Sequence, residues 1–237
     1  MEVAQVVEAG EAVISTRLAA RSAELTGLIG SKFQHTSLEQ VATQFEATLD
    51  PEGTINQAVA ELAILVREEA AKSIDDFKQA EMWIYMKAPS ISDGNNFGVD
   101  VQNFVSSELK SMRHAMQGML DGASNYHWQR GNALEKCAKS GELVTDESEV
   151  KETSDDKVTS KTAKSTKTSS KCPPQLADYR RYAAALDVKQ YHASYLQLTD
   201  LRNCYIKARV LFEKNSKRLA DPRGDGEGGD RGVMSMF

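Results

Sequence analysis

The chain is poor in the residues that break or cross-link a polypeptide. Its 237 residues include 5 prolines, 3 cysteines and 7% aromatics. So few prolines leave long stretches free to form uninterrupted helices. The cysteines, Cys137, Cys172 and Cys204, are odd in number and far apart, with no C-x-x-C spacing. That argues against a disulfide framework or a thiolate zinc site and favours a reducing compartment. Long hydrophobic runs are missing too. The longest, residues 58–66, is interrupted by Glu61 and falls far short of the ~20 apolar residues a membrane helix needs. The opening Met-Glu-Val-Ala places no basic segment ahead of an apolar core, so no secretory signal is expected. A positive charge excess is also lacking. The formal charge of −5 disfavours a general nucleic-acid binder, which neutralises phosphates with a basic face. These absences lead to the expectation of a soluble cytoplasmic or nuclear protein with neither membrane nor nucleic acid as partner.

Signatures of chemistry are equally scarce. A di-iron site in a helical bundle takes Glu-x-x-His pairs, which put both ligands on one helix face. The residues three before His35, His114, His127 and His192 are Lys32, Ser111, Ser124 and Lys189, so that site is not expected. The stretch GLIGSK at residues 27–32 lacks the spacing of a phosphate-binding loop and its closing Ser or Thr. No G-x-S-x-G elbow is present. The expectation is a protein that is not an enzyme, with no cofactor and no metal.

What the sequence does contain is helical periodicity. Val3, Val7, Ile14, Leu18, Leu25 and Leu28 recur at spacings of three, four or seven, which places them on one helix face. Ser37 with Gln40 offers a capping box for a short continuation to about Leu49, and Asp50-Pro51-Glu52-Gly53 reads as a turn. Thr54 with Gln57 offers a second capping box. It opens a stripe through Ile55, Val59, Leu62, Val66, Ala70, Ile74, Phe77 and Ile84 that Pro89 ends. A third stripe runs Val101, Val105, Leu109, Met112, Met116, Met119, Ala123 and Tyr126. Its methionines are read as core rather than as an adaptable groove. The fourth runs Tyr191, Tyr195, Leu198, Leu201, Tyr205, Ala208 and Phe212 and stops near Asp221-Pro222. Each stripe is about eight turns or fewer. The predicted fold is an all-α, up-down four-helix bundle occupying residues 1–222 as a single domain. Leu196, Ile206 and Val210 lie off the fourth stripe and fit either a wider core or a contact face between subunits.

Three segments fall outside this packing. Residues 140–171 are acidic at first and then lysine-spaced Ser and Thr, with no apolar period. They read as a disordered insert between helices three and four. Residues 93–99 read Asp93-Gly94-Asn95-Asn96-Phe97-Gly98-Val99. These residue types accept positive φ or bond their own backbone, so the segment reads as a shaped turn that Phe97 pins to the bundle. Residues 223–237 form a glycine-rich tether ending in Met234-Ser235-Met236-Phe237, suited to docking in a partner's pocket. If the helices alternate up and down, the turn and the end of helix four share one pole.

These residues resemble the eleven-S (REG) proteasome activators. The heptad at 93–99 looks like that family's activation loop, with Trp83 and Pro89 at similar upstream spacings. Asp178-Tyr179-Arg180-Arg181, Asp187, Tyr191, Leu201-Arg202-Asn203-x-Tyr205 and Pro222-Arg223 are similar to its last helix and exit. The resemblance runs from about Asn56 to Arg223, interrupted by the insert. It implies a subunit that assembles, with itself or a sister subunit, into a seven-membered ring around a pore. It further implies docking of Met234, Ser235, Met236 and Phe237 between the α subunits of the core proteasome. Asp93, Gly94, Asn95, Asn96, Phe97, Gly98 and Val99 would then open the gate, without ATP hydrolysis. The competing expectation is a helical scaffold with a non-proteasomal partner.

Overall fold

The computed structural model describes residues 2–34, 37–49, 55–90, 96–120, 122–142 and 174–224, and every element among them is helical. In chain order they are α1 (Val3–Ala12), a π turn (Val13–Arg17), α2 (Leu18–Lys32), α3 (Leu38–Thr48), α4 (Gln57–Lys87), α5 (Phe97–Met119), α6 (Gly122–Glu142) and α7 (Pro174–Ala220).

The helix starts follow local chemistry. Ser37 caps α3 as expected, its hydroxyl accepting from the Gln40 amide at 3.3 Å. At α4 the cap is Asn56, whose Oδ1 accepts from the Val59 amide at 3.3 Å. The expected cap, Thr54, and the turn at 50–53 lie outside the described residues. Pro174 opens α7, where a missing amide hydrogen costs nothing and the fixed φ suits a helix.

Two helical expectations need correcting. The third stripe is not one helix: α5 stops at Met119, with Leu120 N–H bonding back to the Gln117 carbonyl at 3.1 Å, and α6 begins at Gly122. Gly118 and Gly122 flank the break, and each costs ~1 kcal/mol in a helix interior relative to Ala. The fourth helix is far longer than eight turns. At 47 residues it makes about 13 turns. Helix α6 also carries Ser140, Gly141 and Glu142, so the helix overlaps the start of the expected insert. The rest of 140–171 lies outside the described residues.

Contacts divide the chain into two compact units, 1–34 with 61–123 and 192–237, and 35–60 with 124–191. The first is a packing of four helical limbs. Val13, Leu18 and Leu25 of the first limb meet Phe77 and Trp83 of α4, Val105, Leu109 and Met116 of α5, and Leu198, Tyr205 and Phe212 of α7. Phe77 packs edge-on to Tyr205 at 5.5 Å between centroids, as does Trp83 to Phe212 at 6.2 Å. Met116 is fully buried, with Met112 and Met119 packed beside it, so the methionines are core.

The π turn explains the register of the first limb. Val13 and Leu18 are both about 1% exposed although five residues apart, a step an α-helix would turn off the face but a π turn keeps on it. Gly10 brings this limb close to α4. A β-carbon there would lie 2.5 Å from Trp83 Cβ and 2.8 Å from the Gln79 carbonyl oxygen. Val3 is 65% exposed, so the stripe starts later than its spacing suggests.

A polar chain crosses the same unit. Asp76, 4% exposed, accepts from Arg17 Nη1 and from the Tyr205 hydroxyl, both at 2.7 Å. Arg21 pairs with Glu69, which also takes Lys72 Nζ at 2.7 Å. Burial opposes ionisation of Glu69, but these two cations outweigh it and hold the carboxyl below its usual range. Burial, reinforced by Asp76, pushes the Tyr205 phenol well above its usual range.

The second unit buries Val41 and Phe45 of α3, Val59 of α4, Tyr126 and Ala133 of α6, and Ala183, Ala184, Leu186 and Tyr191 of α7. Phe45 meets Tyr191 edge-on at 5.9 Å. At its centre Asp187, 1% exposed, accepts from Tyr126 OH and Arg130 Nε at 2.8 Å each and from Asn56 Nδ2 at 2.9 Å. The carboxylate of α7 thereby holds α6 and the residue that caps α4.

Candidate functional site: the start of α5 and the end of α7

The turn singled out in the sequence leads into α5. Asn96 stands before the helix, and its carbonyl accepts from the Asp100 amide at 3.0 Å. Phe97, Gly98 and Val99 form the first turn of α5 rather than part of a loop. Phe97 is 62% exposed with the Arg218 guanidinium 5.7 Å over its ring. It therefore does not pin the segment by burial, as its apolar ring suggested. Asp93, Gly94 and Asn95 lie outside the described residues, as do Met234, Ser235, Met236 and Phe237.

The pin is Gly98. It is buried against Pro222, and a β-carbon at Gly98 would lie 1.9 Å from the Pro222 carbonyl oxygen. No side chain fits there, so glycine is required by close backbone approach. One turn on, Gln102 is 2% exposed. Its amide nitrogen donates to the Leu219 carbonyl at 3.0 Å and to the Lys87 carbonyl at 3.3 Å. Both acceptors sit in the final turns of helices, where carbonyls have no intrahelical partner. One side chain thus ties the start of α5 to the ends of α4 and α7.

Beyond α7 the chain is shaped for several more residues. The Asp221 amide still bonds to the Lys217 carbonyl at 3.0 Å. Asp221 Oδ1 accepts from the Gly224 amide at 2.8 Å, and Gly224 holds φ +57, the left-handed region that favours glycine. Pro222 is buried between them. The start of α5 and the end of α7, which helix parity expects at one pole, are in direct contact within one unit.

Gln102 and Arg218 were missed in the sequence. The signal for Gln102 was present: it lies three residues before Val105 and seven before Leu109, on the buried face, where a polar side chain needs partners. Arg218 carried none, because a cation in the last turn of a helix is ordinary.

Elsewhere the exposed apolar residues are informative. Leu196, Ile206 and Val210 are 47%, 45% and 38% exposed, which rules out their use in a wider core of the subunit. Among the described residues, no group of three or more His, Cys, Asp or Glu side chains is placed to hold a metal ion. No helix among them is long and apolar enough to cross a membrane.

The fold is a helical bundle in which the start of α5 is seated on the end of α7. Comparison with known proteins gives that fold a family. The profile of the family described as "Proteasome activator PA28, C-terminal" matches residues 53–165 and 144–229, together well over half of the chain. The chain belongs to this family of proteasome activators. It is similar to the Proteasome activator complex subunit 3 of Homo sapiens and of Gallus gallus. Each is 26% identical over 202 residues that cover 83% of this chain and 66% of the relative, slightly under two thirds of the relative's length. In fold it is similar to the crystal structure of the 11S subunit of the Plasmodium falciparum proteasome, PA28. The TM-score is 0.68 at 19% identity, covering 94% of this chain and 91% of that one.

Proposed function

We propose that this chain is a subunit of an ATP-independent activator of the core proteasome. In this reading residues 223–237 are a tether. Met234, Ser235, Met236 and Phe237 enter pockets of the α-subunit ring, and residues 93–99 displace the gate. The observation that carries it is the seating of Gly98 on Pro222, which gives the gate-opening segment and the tail root one common anchor on the surface a partner would meet. Family membership supports the choice of partner. Assembly into a ring, with copies of itself or of a sister subunit, would use apolar residues such as Leu196 and Ile206 that the bundle leaves exposed. Several weak tails on one ring turn later docking events into intramolecular ones, gaining ~10²-fold or more in avidity.

The test is hydrolysis of fluorogenic peptides by purified core proteasome without ATP. Stimulation is expected from the intact protein and not from one truncated after residue 233. An Asn96→Tyr variant is expected to bind and compete with the intact protein while stimulating little. A well-assembled oligomer that stimulates no core proteasome from a matched source would remove this reading and leave a scaffold with another partner.

A further inference from the structure

Gln102 is an expensive residue for its position. It is 2% exposed, and its Oε1 has no hydrogen-bond partner. A buried acceptor left unpaired destabilises a fold, so an apolar side chain of similar size would serve packing better. What Gln102 supplies is its amide nitrogen, given to the Lys87 and Leu219 carbonyls. The opposite amide orientation would set its oxygen against both carbonyl oxygens, so the two bonds also fix which way it points. Four residues earlier in α5, Gly98 is seated on Pro222 with no space for a β-carbon. Two turns of α5 are therefore fastened to the end of α7 and the residues just beyond it, once by the hydrogen bond to Leu219 and once by close backbone packing on Pro222.

We infer that Gln102 is a positioning residue that couples the C-terminal root at 219–224 to residues 96–99, so that a pull or push on the tail is delivered to the start of α5. The inference deepens the activator reading and, for its role in gating, rests on it. Without the coupling, docking of the tail would fix the subunit on its partner but leave the start of α5 free to sample displaced positions. Binding would persist while gate opening weakened. With it, the two segments share one displacement.

Two measurements on the full-length protein decide this. The first is amide hydrogen exchange in the protein alone, comparing the intact chain with Gln102→Met, which keeps length and apolar bulk but has no donor. Exchange is expected to speed up in 96–101 and in 219–224 together, with the rest of α7 unchanged. Acceleration in only one segment, or in neither, would overturn the coupling. The second is the concentration dependence of peptidase stimulation. Gln102→Met is expected to lower maximal stimulation about fivefold or more while the half-saturating concentration moves by less than about twofold. A merely destabilised subunit would shift half-saturation or assembly instead, and that result would also overturn it. If Gln102→Met does not fold, Gln102→Leu, which also lacks the donor, is judged by the same two readouts. If the intact chain stimulates no proteasome, the activator reading falls, whereas the exchange experiment still decides whether the segments move together.

Discussion

Asp187 accepts three hydrogen bonds from three different side chains while almost wholly out of water. Replacing it by Ala would remove one carboxylate partner of the Arg130 guanidinium, itself 6% exposed, and take from Tyr126 OH and Asn56 Nδ2 the acceptor they share. A buried donor left without its acceptor costs ~1–3 kcal/mol, and the Tyr126 hydroxyl is such a donor, so Asp187→Ala is expected to lower the stability measured by urea unfolding by at least about that much. Asp187→Asn, which keeps an acceptor, should lose less. At this scale the buried apolar residues were largely legible: Val59, Val66, Phe77, Val105, Leu109, Leu198 and Tyr205 all fall on stripes read from spacing alone and are all buried. Ile55 and Tyr195 were not, being 64% and 37% exposed. Spacing reports which residues share a face but not where that face runs out of neighbours. Of the buried polar residues, only Asp187 was named in the sequence, through the family resemblance, while Gln102 and Asp76 were missed, since their partners lie as far as 129 residues away.

Helices meet closely where a glycine lets them, and the first limb holds a matched pair of test sites. Gly10 faces Trp83 and the Gln79 carbonyl with no space for a β-carbon, whereas Gly27 of α2 has nothing within 4 Å. Gly10→Ala is expected to destabilise by ~1–3 kcal/mol through overpacking, and Gly27→Ala to stabilise by ~0.5–1 kcal/mol through helix propensity. Thermal unfolding of the two variants should therefore move in opposite directions. Boundaries of elements were read less well than their existence. The break between α5 and α6 was hidden because Tyr126, on the far side of it, continues the apolar spacing of α5 and is buried. The π turn was hidden because it keeps Val13 and Leu18 in phase by adding a residue, which a fixed-period reading counts as a mismatch. The start of α4 falls at Gln57 rather than after Thr54, and Asn56, which the spacing did not single out, bonds both the Val59 amide and Asp187.

At the scale of the molecule, the apolar residues left outside the core bear on assembly. Ile206→Glu places a charge where the side chain is 45% exposed in the subunit, so it should leave the unfolding temperature of the subunit within about 2 °C. If that face closes a ring, the same change should convert the oligomer to smaller species in native mass spectrometry or sedimentation. An unchanged oligomer would place the ring interface elsewhere. The helical class and family resemblance were legible because the heptad at 93–99 and the last helix carry local patterns. The anchor between α5 and α7 was not, because close backbone approach leaves only a glycine behind. That anchor has a consequence for biosynthesis. Pro222 is made roughly 120 residues after Gly98, which at ~5–20 residues per second is a wait of roughly 6–25 s. Throughout that interval the start of α5 has neither its seat nor the Leu219 carbonyl that Gln102 uses. A nascent chain interrupted before α7 is complete carries residues 96–99 unanchored, so the fold itself withholds that segment's final form until translation has passed Pro222.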